Sequence, residues 1–252
     1  PEDISRYFIK NILDGIVYLN KNRLIHRDIK SNNILLNYEN EDDLITHNFL
    51  NAKIKIIDFG FARYLEENEL AGSLVGTPMY MEPSILKTYV NSTNKIVKGF
   101  YDQKVDVWSL GILTYELLIG IFPFIAQDIQ GLCYNVEQRN FNIPENRNIK
   151  LSEAAIQFID RVLNIDINIR PLPEELMDDP WITGNYDKNK LYTMKKDEEI
   201  KSINKKNKFK NFWNIENKTN NLEIIGLSYI DPRHNKFSNK IEDWNKNKVI
   251  YS

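Results

Sequence analysis

Residues 103–119 constrain this chain more than any other stretch. Val105, Trp108, Leu110, Ile112, Leu113, Leu117 and Leu118 put apolar side chains on nearly every face of a helix. A helix apolar all round is not a surface helix; it belongs at the centre of a domain, with other elements wrapped about it. No apolar run reaches the roughly 18 residues of a membrane span, and no signal-peptide pattern opens the chain, so it reads as soluble and cytoplasmic. The wrapping is expected from amphipathic segments. A helix over 3–22, capped by Asp3 or Ser5, carries the stripe Ile4, Phe8, Ile12, Ile16 and Leu19. Further helices are expected over 83–88, 128–138, 152–163 and 173–178. Two short strands near 34–37 and 53–57 flank an acidic, asparagine-rich loop at 38–51, a hairpin with a long connection. A long irregular stretch from Asp58 to about Pro83 follows, which inside a compact domain usually marks function. The expected fold is mainly α, with short β-hairpins beside a cleft.

Composition excludes several classes. The net charge of −2 gives no whole-chain signal for nucleic acid or an anionic membrane. With one cysteine, Cys133, the chain can form no internal disulfide and no cysteine-based zinc site. The 3 histidines offer no H-E-x-x-H pair. Charge is unevenly spread: residues 183–252 hold 15 Lys+Arg against 9 Asp+Glu, leaving 18 against 26 before them. That basic, Asn/Lys-rich tail is expected to be largely disordered, the folded domain being 1–182. Phe209, Phe212, Trp213 and the stretch 222–230 offer apolar points through which the tail could dock, locally or on a partner.

Four motifs carry chemistry. His26-Arg27-Asp28-Ile29-Lys30-Ser31-Asn32-Asn33 resembles H-R-D-x-K-x-x-N, the catalytic loop of protein kinases. Five specified residues at fixed spacing arise by chance on the order of once in a few million start positions. Asp58-Phe59-Gly60 follows the strand-like 53–57 and resembles D-F-G. Gly76-Thr77-Pro78-Met79-Tyr80-Met81-Glu82-Pro83-Ser84 resembles G-T-P-x-Y-x-A-P-E, and Asp106-Val107-Trp108-Ser109-Leu110-Gly111 resembles D-x-W-S-x-G. In this order they identify the chain as similar to eukaryotic-type Ser/Thr protein kinases, with the C-terminal lobe represented and the N-terminal lobe absent.

The resemblance implies roles. Asp28 would accept or orient the proton of a substrate hydroxyl, and Lys30 would set a compact positive charge on the transferring phosphate. Asn33 and Asp58 would supply oxygen donors to Mg²⁺, and Leu35 the apolar floor under the adenine of ATP. Thr77, with Lys30, points to proteins bearing Ser/Thr as substrates. His26, Phe59 and Asp106 are expected as interior buttresses, and Gly60 as the turn out of the metal site. Arg27, with Arg63 as second basic partner, would meet a phosphate on Ser73 that orders the activation segment. The run 58–65 with Met79-Tyr80-Met81 is similar to the autophagy-initiating branch, calcium/calmodulin-type kinases being the alternative. Asn32, where kinases preferring basic residues before the target often hold Glu, argues against strong arginine-directed specificity.

Two departures stand out. No Gly-rich loop or strand lysine precedes the catalytic loop, so this stretch alone is expected to hold ATP poorly and to be inactive. In place of A-P-E stands Glu82-Pro83-Ser84, while Arg170, the match for the arginine that the family's glutamate pairs with, is kept. An unpaired buried arginine costs several kcal/mol, so the activation segment is expected to be less firmly anchored, unless Glu82 swings in from two residues away. These departures keep a rival reading open: a pseudokinase-like module that binds partners without turnover.

Overall fold

The computed structural model of the protein describes residues 1–64, 76–91, 102–142 and 149–191, with the backbone alone of 192–194 and 213–215. Ser73, loop residues 92–101 and the aromatic tail residues Phe209 and Phe212 lie outside the described residues. The elements run α1 (Glu2–Lys21), β1 (Leu24–Ile25), β2 (Ile34–Asn37), α2 (Glu41–Ile45), β3 (Lys53–Ile56), β4 (Arg63–Tyr64), α3 (Pro83–Asn91) and α4 (Lys104–Ile119), then α5 (Ile129–Glu137), β5 (Lys150–Ser152), α6 (Glu153–Val162), α7 (Pro173–Leu176), α8 (Pro180–Thr183), β6 (Leu191–Met194) and β7 (Trp213–Ile215). Among the described residues, no helix is long and apolar enough to cross a membrane.

The apolar helix α4 is the axle. Every residue from Val105 to Tyr115 is buried. Its polar members close on backbone: Thr114 Oγ1 donates to the Leu110 carbonyl at 2.7 Å, and Ser109 Oγ to the Tyr80 carbonyl at 2.9 Å. Gly120, at φ 82°, ends the helix in the left-handed conformation that glycine tolerates best. α1 lies against one side of α4 and α6 against another. The stripe of α1 is buried from Phe8 to Leu19, with Ile4 only half-buried. Neither Asp3 nor Ser5 caps α1: the helix starts at Glu2 after Pro1, and Ser5 Oγ reaches the Leu117 carbonyl instead, at 3.3 Å. A missing cap costs about 1 kcal/mol, whereas each Phe, Leu or Ile taken out of water contributes about 1.5–3 kcal/mol. Packing on α4 therefore decides where α1 forms.

The loop 38–51 is not structureless: it holds the short α2, whose N-cap Asn40 accepts from the Asp42 N–H at 2.9 Å. The packed chain also runs past residue 182, the boundary expected from composition. Tyr186 bonds Arg6 and Glu2 at 2.8 and 2.9 Å, and β6 pairs antiparallel with β5, with Leu151 opposite Tyr192. β7 then pairs with β6, Met194 opposite Trp213. Strand pairing supplies backbone hydrogen bonds whatever the side chains' polarity, so a polar stretch can join a sheet.

Where α4 meets α6 there is no room for a side chain at Gly111. A Cβ there would stand 2.7 Å from both Leu163 Cδ2 and Val162 Cγ2. Gly111→Ala overpacks this crossing and is expected to cost about 1–3 kcal/mol, a fall in Tm of roughly 2–12 °C by thermal unfolding.

Candidate active site

Two nested ladders build the site. β1 pairs with β4, Ile25 opposite Arg63, and β2 pairs with β3, Ile34 opposite Ile56. The loop between β1 and β2 (26–33) therefore faces the loop between β3 and β4 (57–62). Backbone bonds stitch them: the Ile57 N–H donates to the Asn33 carbonyl at 2.9 Å, and His26 Nε2 bonds the Ile57 carbonyl at 3.2 Å. A carbonyl only accepts, so the His26 proton sits on Nε2, leaving Nδ1 to accept from the Asp28 N–H at 3.4 Å. This topology brings Asp28, Asn33 and the base of Asp58 to one place.

The first loop hangs from α4. Asp106, 1% exposed, accepts the His26 N–H on Oδ2 at 2.7 Å and the Arg27 N–H on Oδ1 at 2.9 Å. Burial pushes the Asp106 carboxyl up, and the two N–H groups, with the nearby Arg27 charge, pull it back. Arg27 takes φ 67°, a left-handed conformation that costs a non-glycine residue roughly 1–2 kcal/mol. The two bonds to Asp106 hold that turn, and Arg27 Nε adds a bond to the Phe61 carbonyl at 2.6 Å.

Beyond the turn, Asp28 is 3% exposed and closely partnered. Its Oδ2 accepts from Lys30 Nζ at 2.6 Å and Asn33 Nδ2 at 2.9 Å; its Oδ1 accepts from Thr77 Oγ1 at 3.1 Å. Lys30 Nζ also donates to Thr77 Oγ1 at 2.9 Å, closing a triangle of Asp28, Lys30 and Thr77. A second bond, from Asn33 Nδ2 to the Asp28 carbonyl at 2.8 Å, locks the amide. With its nitrogen spent, Asn33 presents Oδ1 as the atom for a hard cation. Asp58, at φ 64°, is exposed and accepts from the Gly60 N–H at 3.2 Å, which bends the chain out of the site. Gly76, at φ 114°, lets the segment bearing Thr77 approach the first loop: a Cβ there would meet the Arg27 carbonyl at 2.9 Å.

The residues present fit Mg²⁺ held jointly with a nucleotide. One amide oxygen and one carboxylate are hard donors, too few for a cage, and Mg²⁺ commonly takes its remaining ligands from phosphates and water. Consistently, among the described residues no group of three or more His, Cys, Asp or Glu side chains is placed to hold a metal alone. Leu35 is half-buried on β2, opposite Lys55.

Other expectations divide. His26 and Asp106 are interior, but Phe59 is 50% exposed and touches the His26 ring only edge-on, at 5.0 Å; it is not the buried buttress expected. Arg63 is exposed on β4. The anchor expected to be weak is present: Glu82 Oε1 bonds Arg170 Nη2 at 3.0 Å, both side chains buried. Sequence reasoning missed a trio beside the triangle. The Tyr80 phenol donates to Glu116, and Ser31 Oγ lies 3.3 Å from the same phenol. Burial, then Glu116, pushes the Tyr80 phenol above its ordinary value, and burial pushes the Glu116 carboxyl up against the Tyr80 bond that lowers it. The signal available was a tyrosine inside the Thr77–Ser84 motif, whose hydroxyl needs a partner when buried.

Comparison with known proteins identifies the family. The protein kinase domain family model matches residues 1–182, and the chain belongs to the protein kinase family. It is similar to Ser/Thr kinases: 31% identical over 191 residues to the probable serine/threonine-protein kinase fhkC of Dictyostelium discoideum, covering 76% of this chain and 29% of that protein. It is 33% identical to calcium-dependent protein kinase 4 of Plasmodium falciparum, over 73% of this chain and 31% of that protein. Serine/threonine-protein kinase 17A of Oryctolagus cuniculus is 32% identical, over 72% of this chain and 41% of that protein. The chain thus spans less than half the length of these relatives.

Asp106→Asn tests the suspension. Its oxygen would still accept one of the two backbone N–H groups, but its amide nitrogen would have to face the other, leaving that N–H and the amide's own N–H unpaired. The expected cost is about 1–3 kcal/mol for each buried group stranded, read as a lowered midpoint in denaturant unfolding with m unchanged.

Proposed function

We propose that the full protein transfers the γ-phosphoryl group of ATP to Ser or Thr hydroxyls of protein substrates. The observation that carries this reading is the Asp28–Lys30–Thr77 triangle, whose first two members stand in a loop that lies against the loop bearing Asp58. Among the described residues Asp28 Oδ1 takes a single donor, so acceptor capacity remains for an incoming hydroxyl. Asn33 holds the carboxylate's other oxygen and so fixes its orientation before substrate arrives. Lys30 neutralises Asp28 at rest and stands within reach of phosphate oxygens as charge shifts during transfer. Asn33 Oδ1 and Asp58 would hold Mg²⁺, which when bound neutralises phosphate oxygens and orients them for in-line displacement.

Thr77 bonds both Asp28 and Lys30 and supports Ser/Thr rather than Tyr as acceptor, as do the names of the relatives. The branch is a finer proposal. The motifs at 58–65 and 79–81 favour the autophagy-initiating kinases, while a calcium-dependent kinase among the relatives favours the calcium/calmodulin type. The scaffold alternative rests on the absent N-terminal lobe and on Ser84, and the Glu82–Arg170 pair weakens the second ground alone. The 252 residues carry no G-x-G-x-x-G run, and the chain by itself is proposed to turn over poorly.

Asp28→Asn in the full protein is expected to lower kcat by about 10²–10⁴-fold, the range for losing a positioned acid–base group; turnover equal to the parent's would remove the enzyme reading. Phosphorylation of Ser73 is proposed as the switch that engages Arg27 and Arg63, so Ser73→Ala is expected to leave the enzyme in its low-activity state. Full activity in that variant, or active protein whose Ser73 is bare by mass spectrometry, would dispose of the switch.

A further inference from the structure

Glu82 uses both carboxylate oxygens, and each is spent on a different part of the fold. Oε1 bonds Arg170 Nη2 at 3.0 Å; Oε2 accepts the backbone N–H groups of Ser84 and Ile85 at 2.8 and 3.2 Å and the Ser84 hydroxyl. One side chain therefore caps the first turn of α3 and pairs with a buried cation 88 positions away. Arg170 is itself a knot. Its Nε donates to the Asn164 carbonyl and its Nη1 to the Lys104 carbonyl, each at 3.0 Å, and its guanidinium lies 5.0 Å from the Trp108 ring centre. The pair thus ties the start of α3 to the start of α4 and to the turn after α6. Burial lowers the proton affinity of Arg170, and Glu82 is the leading influence that raises it again.

The tie reaches the site through five residues. Tyr80 N–H donates to the Thr77 carbonyl at 2.8 Å, the Tyr80 carbonyl is held by Ser109 on α4, and Met81 and Glu82 are buried. Thr77 is consequently fastened between Asp28 and Lys30 on one side and this clamped segment on the other.

We propose that Glu82 is a positioning residue: it performs from two residues upstream the anchoring that the motif of Thr77–Ser84 otherwise assigns to position 84, with Ser84 reduced to a hydroxyl that steadies Oε2. The proposal rests on the kinase reading above, since its consequence for function is the placement of Thr77. It assigns E-P-S and A-P-E as two solutions to one constraint, a single carboxylate opposite Arg170. They are exchangeable only together.

The test is a set of variants in the full protein, read by kcat/KM on a Ser/Thr substrate and by Tm. E82A is expected to lose about 10²-fold in kcat/KM through misplacement of Thr77, with a lowered Tm. E82A/S84E, which restores A-P-E, is expected to recover to within about tenfold of the parent, a non-additive gain of the kind seen between coupled neighbours. S84E alone sets two carboxylates against one guanidinium and is expected to lower Tm. The same substitution then harms the parent and helps E82A, a reversal that simple loss of helix capping does not produce. Parental activity and Tm in E82A, or an E82A/S84E chain no better than E82A in both, overturns the proposal. A parent without kinase activity removes the reading beneath it, and the Tm comparison still decides the anchor.

Discussion

Asp106 holds two backbone N–H groups at the start of the loop bearing Asp28, and it does so from the first turn of α4, which is buried from Val105 to Tyr115. In that low-dielectric setting a charge-to-amide hydrogen bond is strong, because no water competes for either partner. The left-handed Arg27 would relax without it. With it, the next residue, Asp28, leaves the turn in a fixed direction, and every distance in the Asp28–Lys30–Thr77 triangle follows from that direction. The apolar character of α4 is what makes this possible: a helix free to shift in solvent could not hold a carboxylate within 3 Å of two N–H groups on another segment.

The site adds a second level of compensation. Asp28 is nearly buried, and buried polar oxygens without partners are costly. Lys30, Thr77 and Asn33 supply three donors, so both carboxylate oxygens are satisfied inside the fold. Glu82 and Arg170 repeat the pattern at the far end of the same segment, again with every polar atom of the carboxylate used. A half-buried ion pair, Asp28–Lys30, and a fully buried one, Glu82–Arg170, thus bracket residues 77–82. Buried pairs contribute little net stability compared with apolar packing, but breaking one is expensive. That asymmetry suits a segment whose job is to be in one place.

What could be read from the sequence was local. H-R-D-x-K-x-x-N places Asp28, Lys30 and Asn33 within six positions, and residues so close, with their contacts inside one loop, are constrained by spacing alone. The nearly all-apolar stretch 103–119 likewise announced a central helix, because no other placement hides such a surface. Partnerships across the fold were harder. Ser84 looked like a defect because position-by-position comparison sees identity and not reach; Glu82 has a side chain long enough to cover two residues, and only the location of Arg170 shows that it does. Phe59 looked interior by analogy, yet its exposure depends on what packs above the loop. Leu191–Met194 looked like solvated tail because backbone pairing with Lys150–Ser152 leaves no mark in composition.

The nesting of β1–β4 around β2–β3 explains why such short strands suffice. Two-residue and four-residue ladders are marginal in isolation. Here each ladder is closed by the other: β1 and β2 are joined by the loop bearing Asp28, β3 and β4 by the loop bearing Asp58, and the Ile57 N–H crosses between them to Asn33. A register slip in either ladder would turn its strands' side chains to the opposite face and break that crossing bond, so Ile34, Ile54 and Ile56, packed against the core, oppose it. Core packing thus sets strand register, strand register sets loop apposition, and loop apposition brings the loop bearing Asp28 and Asn33 against the loop bearing Asp58.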